Sequence, residues 1–246
     1  MSQGAVFGRP HRHFRHTDST NARAKELAIL GAPSGLVVTA DEQAAGRGRQ
    51  GRTWFAPPGT ALLYTALLRP LGERRLLPLA VPLAACEAAE AVAPVSCRVK
   101  WPNDVWVEGR KLAGVLIESR PESRGGGWAV IGVGLNVAVP PGAFPDELSR
   151  TAATLHPHAA GGAGTTVPDA LAALNEALGR WVDTPDADVL AAFRERDALT
   201  GRRISWDEGA ETGEAAGIDA AGHLLVETEG GDRRTLGAGE VHLSLD

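Results

Sequence analysis

Short apolar runs broken by turn residues dominate the first 140 positions. Residues 36–40, 62–68 and 128–137 each carry an uninterrupted or nearly uninterrupted apolar run of strand length, and residues 97–101 alternate apolar with charged positions as another strand. Residues 105–107 and 111–118 flank Glu108-Gly109, a pair suited to a tight hairpin turn. Helical spacing appears in a few places. Ala24, Leu27 and Ala28 recur behind Asp18 or Ser19 as caps, with Gly31 placed to end the helix. Residues 76–93 predict an Ala-rich helix interrupted by prolines. Pro168 opens another, with a core stripe of Leu171, Leu174, Leu178 and Trp181, and a shorter one follows at 187–197. The first 200 residues therefore predict an α+β domain, a mostly antiparallel sheet flanked by helices.

From Arg202 onward short alternating strands are separated by Ala221-Gly222 and Gly230-Gly231, as in a small barrel. A boundary near Thr200 divides the chain into a lead-in (1–17), a larger domain (18–200) and a small β domain (201–246). Residues 140–165 are loop-like, and Gly125-Gly126-Gly127 fits a hairpin tip.

Composition narrows the function. With 246 residues, 43% hydrophobic and 22% charged, the chain has the make-up of a soluble globular protein. A net charge of −5 argues against a general nucleic-acid binder, which needs a broad basic face, so any anion site must be local. No apolar run has the length of a membrane span or the form of a signal peptide, which predicts a cytoplasmic protein with no membrane partner. Cys86 and Cys97 sit among apolar residues and read as reduced, buried thiols. His11, His13 and His16 lack a supporting carboxylate or thiolate and read as part of a surface lead-in rather than a metal site.

Three segments carry candidate chemistry. Gly46-Arg47-Gly48-Arg49-Gln50-Gly51-Arg52 contains the glycine spacing of a dinucleotide fingerprint, but that motif must open a helix, and Thr53-Trp54-Phe55-Ala56-Pro57-Pro58-Gly59 prevents one. Its glycines permit close backbone approach and its arginines offer forks for phosphate or carboxylate, with Trp54 as a face for a base. In Lys100-Trp101-Pro102-Asn103-Asp104 and Arg110-Lys111-Leu112-Ala113-Gly114, the hairpin puts Asp104 and Lys111 near opposite ends of two paired strands. Lys111 can neutralise an oxyanion there, or the two can form a surface ion pair. Gly134-Leu135-Asn136 places an amide in an apolar strand, where a structural turn amide is the simpler alternative.

Taken with Asp18-Ser19-Thr20-Asn21 and Gln43, these motifs in this order resemble the biotin protein ligase family, over residues of about 18–137. The resemblance implies a class II synthetase-like catalytic core followed by an SH3-like barrel, although the tail from Arg202 matches only in texture. It implies that Ser19, Thr20, Asn21 and Gln43 hydrogen-bond the ureido ring of biotin, with Gly114 and Leu116 along its apolar side. Arg47 and the backbone of Gly48 and Arg49 would meet the biotin carboxylate and the α-phosphate of ATP. Gly46, Arg52 and Asn103 join the nucleotide set, and Trp54 and Asn136 meet the adenine. Lys111, Arg49 and Asp104 form the catalytic group, with Asp104 as the candidate magnesium ligand.

The implied reaction is ATP-dependent formation of biotinyl-AMP, then transfer to a lysine of a biotin carboxyl carrier domain. Fewer than twenty residues precede Asp18, so a ligase without the DNA-binding domain of some relatives is expected, and no DNA partner. A homodimer stays open. The alternatives are a lipoate or octanoate ligase of similar fold and a non-enzymatic nucleotide-binding module using Arg47, Arg49 and Arg52.

Overall fold

A computed structural model describes residues 5–122, 126–140, 142–155, 164–237, 239 and 241–243. In chain order, β1 is His11–Phe14, α1 Thr20–Ile29, β2 Val37–Ala40, β3 Ala61–Leu68, α2 Leu77–Val92, β4 Arg98–Lys100 and β5 Asp104–Val107. Next come β6 Arg110–Pro121, β7 Gly127–Asn136, α3 Asp146–Ser149, α4 Val167–Trp181 and α5 Asp186–Arg196. The last strands are β8 Arg203–Trp206, β9 Glu211–Ile218, β10 Leu224–Thr228, β11 Arg233–Leu236 and β12 His242–Leu243. Seven strands form one sheet in the order β1-β2-β3-β7-β6-β5-β4, antiparallel except for the β1–β2 pair. Five more form a second sheet, β11-β10-β9-β8-β12.

The central strand β3 shows how the sequence sorts its neighbours. All eight of its residues are buried, so each face of the sheet is covered. Leu62, Tyr64, Ala66 and Leu68 join the main core with α2 and α4, and the Tyr64 hydroxyl donates to Asn175 Oδ1 of α4 at 2.9 Å. Leu67 points the other way, into a smaller cluster with Ala24 and Ala28 of α1 and Val130 of β7. Strand alternation puts Leu63 and Thr65 on that second face too.

Several expectations are refined. Pro82 lies inside α2 and Pro78 in its first turn, and the helix runs unbroken through both. The stretch read as a lead-in supplies β1, whose register His11↔Val37 to Phe14↔Ala40 makes it the edge of the large sheet. Ser19 occupies the N-cap of α1 without a side-chain cap bond; instead Asp18 Oδ1 accepts the Ser19 N–H at 2.8 Å, and Gln43 Oε1 accepts the Thr20 N–H at 2.7 Å. Gly31 does follow α1, with φ +88°. Thr166 and Asp169 form a capping box on α4, an arrangement worth about 1 kcal/mol. The loop-like stretch 140–165 holds the short helix α3, and its residues 141 and 156–163 lie outside the described residues. Pro121 pairs with Gly127, so the hairpin joining β6 and β7 turns between them; of the proposed glycine tip, Gly125 lies outside the described residues.

The second sheet packs into the same core. Ile204, Trp206, Ile218 and Leu224 belong to the cluster that contains α2 and β4, and Trp101 Nε1 donates to Gly222 O at 3.0 Å. Gly222 holds φ +81°, a conformation that favours glycine, and a Cβ there would also press on Leu79 Cδ1 of α2 at 2.9 Å. Cys86 and Cys97 are both buried and free.

Candidate active site

The period of two that hides one face of β3 in the core lines a cavity on the other. Register aligns two rows of residues on that face. One runs Asp104↔Gly114↔Gly134↔Leu63, the other Leu116↔Gly132↔Thr65. Glycines at the centre of each row remove side-chain bulk where it would fill the space. The N-terminus of α1, the arginine-glycine loop and β12 wall in a cavity of about 530 Å³. Ser19, Thr20, Asn21, Gln43, Arg47, Gly48, Arg49, Arg52 and Trp54 line it from the helix and loops; Asn103, Asp104, Lys111, Gly114, Leu116 and Asn136 line it from the sheet side. Gly46 alone among the expected residues does not. A Cβ there would lie 2.8 Å from Trp54 O and 3.0 Å from Gln43 Nε2, so its smallness lets the loop fold on itself.

One end of the cavity is rich in acceptors. Thr65 Oγ1 lies 2.7 Å from Asn21 Oδ1 and 2.8 Å from Thr20 Oγ1, which is 3.0 Å from Gln43 Oε1. Asn21 Oδ1 and Gln43 Oε1 can only accept, so two hydroxyl protons serve three oxygen–oxygen contacts. Asn21 Nδ2 donates to Leu116 O at 3.2 Å and to Glu118 Oε2 at 2.9 Å, which fixes the amide orientation. Two protons cannot fill all three contacts, which leaves an oxygen lone pair free to accept an N–H from a ligand.

The other end is cationic. The loop folds as a small hairpin, with Trp54 N donating to Gly46 O at 3.0 Å and Gly48 N to Arg52 O at 2.7 Å. In this conformation the Gly48 N–H, expected to meet an anion, is already engaged. Gln50 holds φ +54°, a left-handed conformation that costs an ordinary residue about 1 kcal/mol or more. Trp54 lies flat against the glycine row: a Cβ on Gly134 would be 2.5 Å from its Cε2, and one on Gly114 would be 3.1 Å from its Cζ3. Lys111 Nζ stands 5.7 Å from the indole centroid, within cation–π range. Among the described residues, two buried side-chain polar atoms have no hydrogen-bond partner, Trp54 Nε1 and Asn136 Oδ1, and both residues line this cavity. Native structures rarely leave such atoms unsatisfied.

Lys111 and Asp104 do pair from offset positions of β6 and β5, Lys111 opposite Trp106 and Asp104 opposite Gly114. A register irregularity between Val105 and Trp106 and the length of the lysine bring Nζ within 2.7 Å of Asp104 Oδ1. Asn103 anchors the preceding turn through Nδ2 to Val115 O at 2.9 Å, and its Oδ1 lies 3.4 Å from Arg49 Nη1. Among the described residues no three His, Cys, Asp or Glu side chains converge as a metal cluster. A magnesium ion bridging nucleotide phosphates needs only one or two carboxylates, so Asp104 alone is compatible with that ion.

Thr65, Lys25 and the segment around β12 lie outside the motifs, and Glu118 ends the run that follows Lys111 without a role of its own there. Thr65 and Glu118, the latter paired with Lys25, hold Asn21, and β12 lines the cavity. Thr65 had a legible signal: it is the one hydroxyl that is not aromatic in the otherwise apolar run ALLYTALL. Burial works to raise the Glu118 carboxyl, but hydrogen bonds from Lys25 and Asn21, with the charges of Lys25 and Arg47, outweigh it and hold Glu118 below the ordinary carboxylate value. Val241, His242 and Leu243 bring the second sheet to the cavity wall.

These features identify the class. The chain belongs to the biotin/lipoate A/B protein ligase family, whose model matches residues 13–136, just over half of it; a biotin protein ligase C-terminal domain model matches residues 207–244. Within that family it stands with the biotin protein ligases. It is 35% identical to the biotin–[acetyl-CoA-carboxylase] ligase of Paracoccus denitrificans, over 92% of this chain and 97% of that protein. The biotin protein ligase of Aquifex aeolicus, solved in complex with biotin and ATP, superposes with a TM-score of 0.80 at 26% identity, covering 95% of this chain and 99% of that one. The Leishmania major enzyme in complex with biotinyl-5-AMP gives a TM-score of 0.67 at 26% identity, covering 93% and 98%. Among the described residues no helix is long and apolar enough to cross a membrane.

Proposed function

We propose that this enzyme activates biotin with ATP and transfers it to a lysine of a biotin carboxyl carrier domain. The observation that carries the reading is the polarity of the cavity, acceptor-rich at the Thr20–Asn21–Gln43–Thr65 end and cationic at the Arg47–Arg49–Lys111 end. Biotin has the complementary chemistry: a cyclic urea with two N–H groups at one end and a carboxylate at the other. The dithiolane of a lipoyl group has no N–H to give, which disfavours lipoate. The relatives solved with biotin and ATP and with biotinyl-5-AMP support the same substrates here.

In the first step a biotin carboxylate oxygen forms a bond to the α-phosphorus, and the bond to the leaving pyrophosphate breaks. Both reactants are anions, so Lys111 and Arg49 would lower their repulsion and stabilise charge on the transferring phosphoryl group. Lys111 is held ready by Asp104 and by the Trp54 face. Asp104 would hold magnesium together with nucleotide phosphates, and the ion would supply further charge neutralisation. Trp54 and Asn136 would take the adenine, satisfying the two unpartnered atoms. In the second step the acceptor lysine amine attacks the acyl carbon and AMP departs, which requires no protein nucleophile.

Biotin-dependent exchange of pyrophosphate into ATP tests the first step, and transfer of labelled biotin to a carrier domain tests the second. Exchange that proceeds with lipoate but not biotin would overturn the substrate assignment. Nucleotide binding without any exchange would favour the non-enzymatic reading.

A further inference from the structure

Glu118 follows Gly114 and Leu116 along the cavity side of β6, where a carboxylate is out of keeping with an apolar wall. Its two oxygens are engaged with one helix. Oε2 accepts from Asn21 Nδ2 at 2.9 Å, and Oε1 pairs with Lys25 Nζ at 2.7 Å, one turn further along α1. The terminal torsion of an asparagine is nearly two-fold, so packing alone does not decide which atom points where. Here the surroundings decide. Nδ2 meets the Leu116 carbonyl and the Glu118 carboxylate, while Oδ1 accepts the Thr65 hydroxyl. Reversing the amide would set its oxygen against a carbonyl and a carboxylate.

With both N–H bonds of Asn21 engaged, what the amide can offer a ligand is the remaining lone pair of Oδ1. That oxygen lies over Gly132 in the cavity wall, where a Cβ would approach it to 2.2 Å. We propose that Glu118, braced by Lys25, is a positioning residue that locks the Asn21 amide so that the cavity presents an acceptor to an N–H of the bound acid. The proposal rests on the reading of the cavity as a biotin site. A carboxylate acceptor is stronger than a neutral one, and its partly buried position keeps water from substituting freely.

The test compares Glu118→Ala, Glu118→Gln and Lys25→Met with the wild type, by calorimetric titration with biotin, steady-state KM for biotin and for ATP, and Tm. Glu118→Ala should weaken biotin binding about ten-fold or more, as expected for loss of a charge-assisted hydrogen bond, and leave the KM for ATP within about two-fold. Glu118→Gln keeps an oxygen for Asn21 and should recover affinity to within about three-fold of wild type, although its ion pair is gone. Lys25→Met loses the same ion pair, so its Tm should fall with that of Glu118→Gln while biotin affinity stays within about three-fold. Wild-type affinity in Glu118→Ala, with only Tm lowered, would reduce Glu118 to an ion-pair strut and overturn the proposal. Equal losses in Glu118→Gln and Glu118→Ala would overturn it as well. A wild-type enzyme that binds no biotin would overturn the functional reading first, and the titration order keeps that failure distinct.

Discussion

Lys111 Nζ lies 2.7 Å from Asp104 Oδ1 although the two residues are not cross-strand partners. A lysine whose charge is held by a neighbouring carboxylate and an indole face is oriented before any substrate arrives. Preorganisation of this kind makes a cation effective in a transition state, because no reorganisation is needed at the moment of reaction.

Lys111→Ala should therefore lower biotin-dependent pyrophosphate exchange by about 10²–10³-fold. The side chain is 37% exposed, so the fold should survive its removal. Exchange rates and Tm measured on the same preparation check both halves; near-normal exchange would remove Lys111 from the adenylation step.

Gly134→Ala should displace Trp54, since a Cβ there would stand 2.5 Å from the indole. Overpacking typically costs about 1–3 kcal/mol, so the KM for ATP should rise about ten-fold while biotin affinity changes little. Tryptophan fluorescence and the two KM values report this. An unchanged KM for ATP would separate Trp54 from nucleotide binding.

The arginine-glycine loop should protect itself from trypsin when ligands bind. Arg47, Arg49 and Arg52 repel one another, and exposing the Gly48 N–H to an anion requires breaking its bond to Arg52 O. Cleavage at these arginines should slow with biotin plus ATP. Arg49→Gly, which removes the contact to Asn103 Oδ1, should release more free biotinyl-AMP than the wild type. Equal cleavage with and without ligands, together with unchanged release, would leave the loop as a static cradle.

Acid stability should depend on Glu90. Burial works to raise its carboxyl, but two hydrogen bonds from Arg196, at 2.7 and 2.8 Å, and the Cys97 N–H hold it below its ordinary value of 4.5. A depressed carboxylate contributes stability that is fully present above 4.5 and is lost as pH falls through the lower folded value. Glu90→Gln should thus lower Tm near neutral pH and flatten its decline below about pH 4.5. A parallel decline in both proteins would refute this linkage.

The sheet and its helices were legible because burial leaves a period. The run ALLYTALL has the length and the flanking turn residues of a strand covered on both faces, and the stripe ending in Trp181 has the spacing of a helix packed on a core. The prolines of α2 misled because one occupies the first turn and the other is tolerated in a helix whose packing outweighs its local preference. The chemistry-bearing motifs were legible too, since glycines, arginines and a lone lysine in apolar surroundings stand out one residue at a time.

Sequence by itself determined the strand alternation, the order of the motifs and the local character of the cationic loop. It determined these because side-chain direction follows from a period of two and charge is a property of each residue. Only the tertiary structure decided that Glu118 meets Asn21 across 97 positions of chain, that Thr65 joins Thr20 to Asn21, and that β12 closes the cavity from the second sheet. Those contacts depend on strand register and on the placing of α1 over β3 and β7. Register and packing belong to pairs of distant segments, and no local pattern in either segment records them.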